Sequence, residues 1–289
     1  MSNSSPQRVA VMMHASLPEA AGEAEQICQF LKLRGQTCVC ASFSDEAMRQ
    51  QVQAGEFDLV IALGGDGTML RASRLCALPG TPVMGINLGH FGFLTEVDRA
   101  EWPTRLAQLL EGNYRLERRM MLRAEHWRGE EMLAHWLLLN EVVVCRGATV
   151  RPIRVSAWVD NEPLTSYVAD GLIAASATGS TAYALAAGGP VLPPELRSIV
   201  IVPVAPHLSM DRAIVLPEGA QVVFQVHGHS PQAVYSGDGQ TPVPLQDGDA
   251  IHTRADAHTA QFIRFQAPGI FYRNLTMYME QNPTAGLPQ

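Results

Sequence analysis

The chain has 289 residues, of which 47% are hydrophobic and 17% charged, so a sizeable core is available and global disorder is excluded. Its formal net charge of −7 argues against general affinity for nucleic acid or anionic membranes, which need a basic surface, but leaves phosphorylated small molecules open as ligands. No 18-residue apolar run is present, and residues 1–6 are short and polar, so neither a membrane span nor a signal peptide is expected. Cys28, Cys38, Cys40, Cys76 and Cys145 are odd in number and form no Cys-x-x-Cys pair, which predicts five free thiols and a cytoplasmic protein.

In chain order, residues 8–13 read as a first strand. A helix follows over 19–33, with Ile27, Phe30 and Leu31 on one face and Gly35 as its stop. Residues 37–42 form a second strand that places Cys38 and Cys40 on one face, and 45–52 a short helix. Residues 57–63 are an apolar run of the kind found in buried parallel strands, followed by Gly64-Gly65-Asp66-Gly67-Thr68 and a helix with Leu70 and Leu75 inward. Residues 82–86 form a fourth strand. This alternation predicts a parallel sheet with right-handed crossovers and ligands beyond the carboxyl ends of its strands, where the glycine loop lies. Residues 87–94 break the pattern with Gly89, His90 and Gly92; His90 reads as a surface or hinge residue that could also touch a ligand. A helix over 101–110 ends at Gly112.

Beyond Gly112 the pattern changes. Residues 114–117, 122–127, 133–144, 153–159, 221–226, 233–235 and 251–254 are extended or alternating, and Asp-Asn, Gly-His and Gly-Asp-Gly turn signals separate them. The prediction is an α/β domain over 1–112, completed by a C-terminal helix within 268–289, and a mainly antiparallel β domain over 113–267.

Three features carry chemistry. In the glycine loop, backbone amides and a helix N-terminus face an anion, while the Asp66 carboxylate repels phosphate unless it holds a metal ion or takes a proton; a tight turn with an Asp cap is the plainer alternative. The loop is neither a Walker loop nor a Gly-x-Gly-x-x-Gly fingerprint. Asn140 and Glu141 interrupt an apolar strand and need partners, either a sugar diol or each other's surroundings. Residues 170–183 hold a small apolar strand, the hydroxyl-rich turn Thr178-Gly179-Ser180-Thr181 and a short helix over 182–187. They fit an anion or ribose site with the Tyr183 ring offered to a base, or simply a helix capped by Thr181.

Taken together these residues, with 87–96, Pro206-His207-Leu208-Ser209 and Asp238-Gly239-Gln240, resemble the NAD kinase family from about 57 to 240. The resemblance implies a Rossmann-like N-terminal domain and phosphoryl transfer from ATP or polyphosphate to the adenosine 2′-hydroxyl of NAD. It also implies a divalent ion (Mg2+ or Mn2+) and a homodimer or homotetramer, with no nucleic-acid or membrane partner. It makes Asp66 the proton acceptor with Gly67 beside it against the NAD, gives Asn140 and Glu141 a ribose, and puts Asp170 on the adenine side. Thr181, Ala182, Tyr183, Ala184, Leu185 and Ala186 would wrap the nucleotide. Arg71 and Arg151 would contact it, and Gln240 would close the site. Val168, where many relatives have arginine, and Ser176-Ala177, in place of Thr-Pro, depart from the pattern; the second is expected to loosen the entry to the turn. A lipid kinase with the same loop, or a nucleotide-binding regulator without turnover, are the alternatives; the negative charge counts against the first and an intact Asp66 against the second.

Overall fold

The computed structural model describes residues 5–14, 18–89, 92–207, 210–228, 232–273 and 275. His90, Leu208, Ser209 and most of the expected C-terminal helix lie outside them. The chain divides into two compact units, Met1–Arg118 with Ala260–Gln289, and Arg119–Thr259. The predicted divisions were 112/113 and 267/268.

In the first unit, strands and helices alternate as β1 (Arg8–Met13), α1 (Pro18–Lys32), β2 (Thr37–Ser42), α2 (Glu46–Gln53), β3 (Leu59–Leu63), α3 (Asp66–Ala77), β4 (Val83–Asn87), β5 (Val97–Asp98) and α4 (Trp102–Leu110). β1 pairs with β2 and β3, and β3 with β4, all parallel, with Val11 opposite Ile61 and Ile61 opposite Met84. Every residue of β3 and β4 is buried, as strands covered on both faces require. Ile27 and Leu31 of α1 and Leu106 and Leu109 of α4 close the core. Asp45 caps α2, its carboxylate accepting from Met48 N at 3.1 Å.

The remaining strands are β6 (Arg115–Arg128), β7 (Glu131–Leu138), β8 (Glu141–Arg146), β9 (Ile153–Val159), β10 (Glu162–Ala169) and β11 (Gly171–Ser176). After the short helix α5 (Tyr183–Ala186) come β12 (Ser198–Val204), β13 (Ile214–Pro217), β14 (Val222–His227), β15 (Ala233–Gly237), β16 (Val243–Pro244) and β17 (Ala250–Arg264). In the second unit, β10, β9, β14 and β17 form one antiparallel sheet, and β13, β12, β11, β8, β15 and β16 another. Tyr167 and Phe224 of the first and Val142, Leu172 and Tyr235 of the second share one core. The other face of the second sheet, Val143, Ile173 and Val200, packs on Ala184 of α5. Alternation along β8 thus sends Val142 and Val144 to one core and Val143 to the other.

Three predicted boundaries change for identifiable reasons. The run 133–144 is two strands, because the chain turns at Leu139–Asn140 between β7 and β8. Residues 251–254 are the first part of the fifteen-residue β17, whose polar positions hid its length; Asp256 is buried there because Arg123 Nε (2.8 Å) and His258 N (2.9 Å) donate to it. The end of that strand returns to the first unit, where Phe262 pairs with Val83 of β4.

The expectation of five free thiols is also overturned. Cys28 of α1 and Cys38 of β2 are joined by a disulfide with Cα atoms 5.2 Å apart, leaving Cys40, Cys76 and Cys145 free. Cys38 is buried and Cys40 exposed, so the strand turns them to different surroundings. Thiol titration of denatured, non-reduced protein is expected to find three free thiols per chain, rising to five after reduction. Five before reduction would contradict the bond.

Candidate functional site

In the first unit the glycine loop joins β3 to α3, and Asp66 is the first residue of the helix. Gly64 sits at φ +145°, where a Cβ would strike the Thr68 hydroxyl. Only glycine fits there. Gly65 caps α3 without a side-chain hydrogen bond; its carbonyl accepts from Thr68 N at 2.9 Å and Met69 N at 3.2 Å, so only the first two amides of the helix, Asp66 and Gly67, are left to offer an anion.

The Asp66 carboxylate is held from the loop that follows β4. Its Oδ2 accepts from Phe93 N at 2.9 Å and its Oδ1 from Leu94 N at 3.0 Å. Gly92 is what lets that loop approach, since a Cβ there would overlap the carboxylate. The loop is itself tethered: Arg264 Nη1 donates to Leu94 O at 2.9 Å, and Glu96 Oε1 accepts from Phe265 N and Gln266 N at 3.0 and 2.6 Å. Arg264 is buried and donates through Nε to Glu117 at 3.2 Å. Each oxygen of Asp66 spends one acceptor site on an amide and keeps others for a proton or a cation.

In the second unit Asn140 and Glu141 stand at the turn into β8. Asp238, after β15, accepts from Leu139 N (2.9 Å), Asn140 N (2.8 Å) and Glu141 N (3.2 Å). Ser176 secures the other side, with Oγ donating to Leu139 O at 2.5 Å and accepting from Gly179 N at 3.2 Å. Gly179 lies so close to Asn140 O that no side chain fits between them. Among the described residues, Asn140 Oδ1 and Glu141 Oε2 are buried without a hydrogen-bond partner. Glu141 is 6% exposed; burial, with the nearby Asp238 charge, pushes its carboxyl up to about 8.

The remaining predicted residues sit between β10 and the end of α5, in the turn after β15, between β8 and β9 and, in the first unit, on α3. Thr181 Oγ1 donates to Thr178 O at 3.2 Å and does not cap α5, whose N-cap is Ala182 without a side-chain bond. Ala184 is buried, Leu185 half-buried and Ala186 exposed, while Tyr183 presents its ring at 44% exposure. Asp170, between β10 and β11, pairs with Arg146 Nε at 3.1 Å. Gln240 is half-buried in the Asp238–Gly239 turn, its carbonyl accepting from Ser236 Oγ at 2.6 Å. Arg71 is exposed on α3 in the first unit with Gly67, and Arg151 is exposed between β8 and β9; no hydrogen bond among the described residues ties either to these groups. The turn after Ser176-Ala177 is pinned, not loosened: Ala177 is buried, and Ser180 Oγ donates to Ala177 O at 2.7 Å and accepts from Leu192 N at 2.9 Å. Sequence reasoning missed the supporting roles of Ser176, Asp238 and Gly92. A turn aspartate, and a glycine beside a loop aromatic, were the available signals.

An anchored aspartate on a glycine loop in one unit, and buried polar acceptors in the other, are features that a nucleotide-dependent transferase would use. The family model for the ATP-NAD kinase N-terminal domain matches residues 9–114 and that for the C-terminal domain residues 139–265. The chain belongs to the ATP-NAD kinase family. It is 39% identical over 268 residues to the NAD kinase of Moorella thermoacetica, covering 90% of this chain and 85% of that one. It is 36% identical over 276 residues to the NAD kinase of Chloroflexus aurantiacus, covering 96% and 99%. A crystal structure of an NAD kinase from Archaeoglobus fulgidus in complex with ATP superposes with a TM-score of 0.76 at 26% identity, covering 95% of this chain and 99% of that one. Yeast NADH kinase complexed with NADH shares the fold at a TM-score of 0.80 and 20% identity, covering 99% and 91%.

The state of Glu141 gives a pH prediction. The unfolded chain loses this proton near the ordinary value of 4.5, whereas the folded, nucleotide-free protein holds it to about 8. Between those values the native state binds the extra proton, so the Glu141 contribution to stability falls as pH rises through the window and levels off above it. Glu141→Gln mimics the neutral form. Its unfolding free energy relative to the parent should therefore rise between pH 5 and pH 8.5, by on the order of 3 kcal/mol. A difference that does not change with pH in denaturant titrations would contradict this.

Proposed function

We propose that this protein is an NAD kinase, transferring the γ-phosphoryl group of ATP, or a phosphoryl group of polyphosphate, to the adenosine 2′-hydroxyl of NAD to give NADP. The observation that carries the proposal is the combination, in one chain, of the amide-clamped Asp66 on a glycine loop with the partnerless buried acceptors of Asn140 and Glu141. A phosphate donor suits the former and a ribose diol the latter.

In this reading the amides of the glycine loop cradle the donor phosphates, while Gly67 lies beside Asp66 against the NAD and Arg71 contacts the NAD. Asn140 and Glu141 hold a ribose of NAD, and Thr181 to Ala186 line the nucleotide, with Tyr183 against a base. Asp170, Arg151 and Gln240 complete its contacts. The 2′-oxygen attacks phosphorus, the bond from phosphorus to the donor's bridging oxygen breaks, ADP leaves, and the hydroxyl proton passes to Asp66. Among the described residues no three His, Cys, Asp or Glu side chains gather as a metal cage. Asp66 would be the carboxylate beside a Mg2+ or Mn2+ ion brought in with the donor phosphates. Such an ion would neutralise charge on the transferring group. A homodimer or homotetramer belongs to the same reading through the family resemblance, and a cytoplasmic location was expected from free thiols. The Cys28–Cys38 bond removes free thiols as its support. Among the described residues no helix is long and apolar enough to cross a membrane.

The experiment is NADP formation from NAD, ATP and Mg2+, read with an NADP-specific dehydrogenase. The parent should form NADP and ADP in equal amounts. Asp66→Asn should lose turnover, because the amide is a poor proton acceptor and its NH2 faces a backbone N–H. Activity within about tenfold of the parent, only ~1.4 kcal/mol of barrier, would remove Asp66 from catalysis. Gly92→Ala should cut kcat by at least about a hundredfold, or ~2.7 kcal/mol, by displacing the carboxylate. A kcat within about threefold of the parent would show that the clamp is dispensable.

A further inference from the structure

We propose that Asp238 is a positioning residue for the nucleotide: by gathering the N–H groups of Leu139, Asn140 and Glu141 on one carboxylate, it sets where Asn140 and Glu141 present their acceptors to the ribose. The inference rests on the NAD kinase reading and adds to it a residue that touches no reacting atom.

The turn into β8 would otherwise leave its backbone donors without a strand partner. β15 pairs with β8 up to Gly237 opposite Val142. There the ladder ends, and Asp238 N donates to Glu141 O at 3.0 Å. The carboxylate then reaches past the ladder, Oδ2 to Leu139 N at 2.9 Å and Oδ1 to Asn140 N and Glu141 N at 2.8 and 3.2 Å. Asp238 sits at φ +46° and Gly239 at φ +66°, a turn that aspartate and asparagine tolerate better than other side chains. Asp238 is 9% exposed, so the bonds are shielded from water.

The same carboxylate acts on Glu141 electrostatically. Of the elements packed beside Glu141, β11 (Gly-Leu-Ile-Ala-Ala-Ser) and the turn Thr178-Gly179-Ser180-Thr181 carry no titratable group and β15 carries Tyr235, opposite Val144; among the described residues Asp238 is the charge that acts on Glu141. Two nearby buried carboxylates do not both ionise easily. Glu141 therefore keeps its proton until hydroxyl donors of the ribose reach the partnerless oxygen, and nucleotide binding near neutral pH releases a proton to solvent.

The test uses full-length parent, Asp238→Asn, Asp238→Glu and Glu141→Gln. NAD is titrated calorimetrically at pH 7 in buffers of different ionisation enthalpy, and steady-state kinetics vary NAD and ATP separately from pH 6 to 9. The parent should release close to one proton on binding NAD, and its KM for NAD should fall as pH rises toward 8; Glu141→Gln should lose both effects. Asp238→Asn keeps the turn but replaces one acceptor oxygen with an NH2. At pH 8.5 it should raise the KM for NAD at least about tenfold, leave that for ATP within about twofold, and move the midpoint of the NAD profile to lower pH. Asp238→Glu keeps the charge but shifts it by a methylene. It should raise the KM for NAD while leaving the midpoint in place, which keeps the proposal testable if the asparagine variant fails to fold. A parent-like KM for NAD in either Asp238 variant would overturn the proposal, as would an unmoved midpoint in folded Asp238→Asn. If the parent makes NADP while the Asp238 variants match it, only this assignment falls. If the parent neither binds NAD nor makes NADP, the NAD kinase reading falls and takes this with it.

Discussion

A carboxylate that collects backbone N–H groups is the interaction on which each unit's functional residues depend. Buried amides that leave a helix or ladder must find an acceptor, and an ionised carboxylate is the strongest one a side chain offers. Asp66 receives Phe93 N and Leu94 N, and Asp238 receives Leu139 N, Asn140 N and Glu141 N. In the proposed reaction the first carboxylate is the reactive group and the loop positions it. The second carboxylate holds the loop, and the proposed nucleotide contacts are made by the neighbours it orders.

The surrounding fold makes these contacts possible. Fully buried β3 and β4 bring the glycine loop and the loop after β4 out at the same end of a parallel sheet. Arg264, near the end of β17, ties Leu94 O to Glu117 and so fixes the second loop from below. In the β unit, β8 lies between β11 and β15, so residues beyond the end of either neighbour fall beside Asn140 and Glu141. Ser176 ends β11 and Asp238 follows β15. A central strand thus acquires a polar clasp on both sides.

Much of the first unit was legible because its signals are local. The apolar runs of β1 and β3, the Asp45 cap and the Gly-Gly-Asp-Gly-Thr turn each depend on neighbours in sequence. The β unit was less legible. Ser198–Val204 is a buried apolar run that periodicity does not assign, and β17 carries Asp256 inward because Arg123, 133 residues away, neutralises it. Asn140 and Glu141 could be singled out from their polarity in an apolar setting. Their support could not, since Asp238 reaches them across 98 and 97 residues. The disulfide was missed because Cys28 and Cys38 sit on different elements, and spacing does not show that a helix and a strand bring them together.

In the proposed function Glu141 stays protonated, its Oε2 without a partner among the described residues, until hydroxyl groups of the nucleotide reach it. Carbon-13 NMR of protein labelled at glutamate side chains, with Glu141→Gln to assign the resonance, measures this directly. The account predicts a Glu141 carboxyl that titrates near 8 in the free protein and moves to lower pH when NAD is bound. Titration near the ordinary 4.5 in the free protein, or a midpoint that NAD leaves in place, would contradict it.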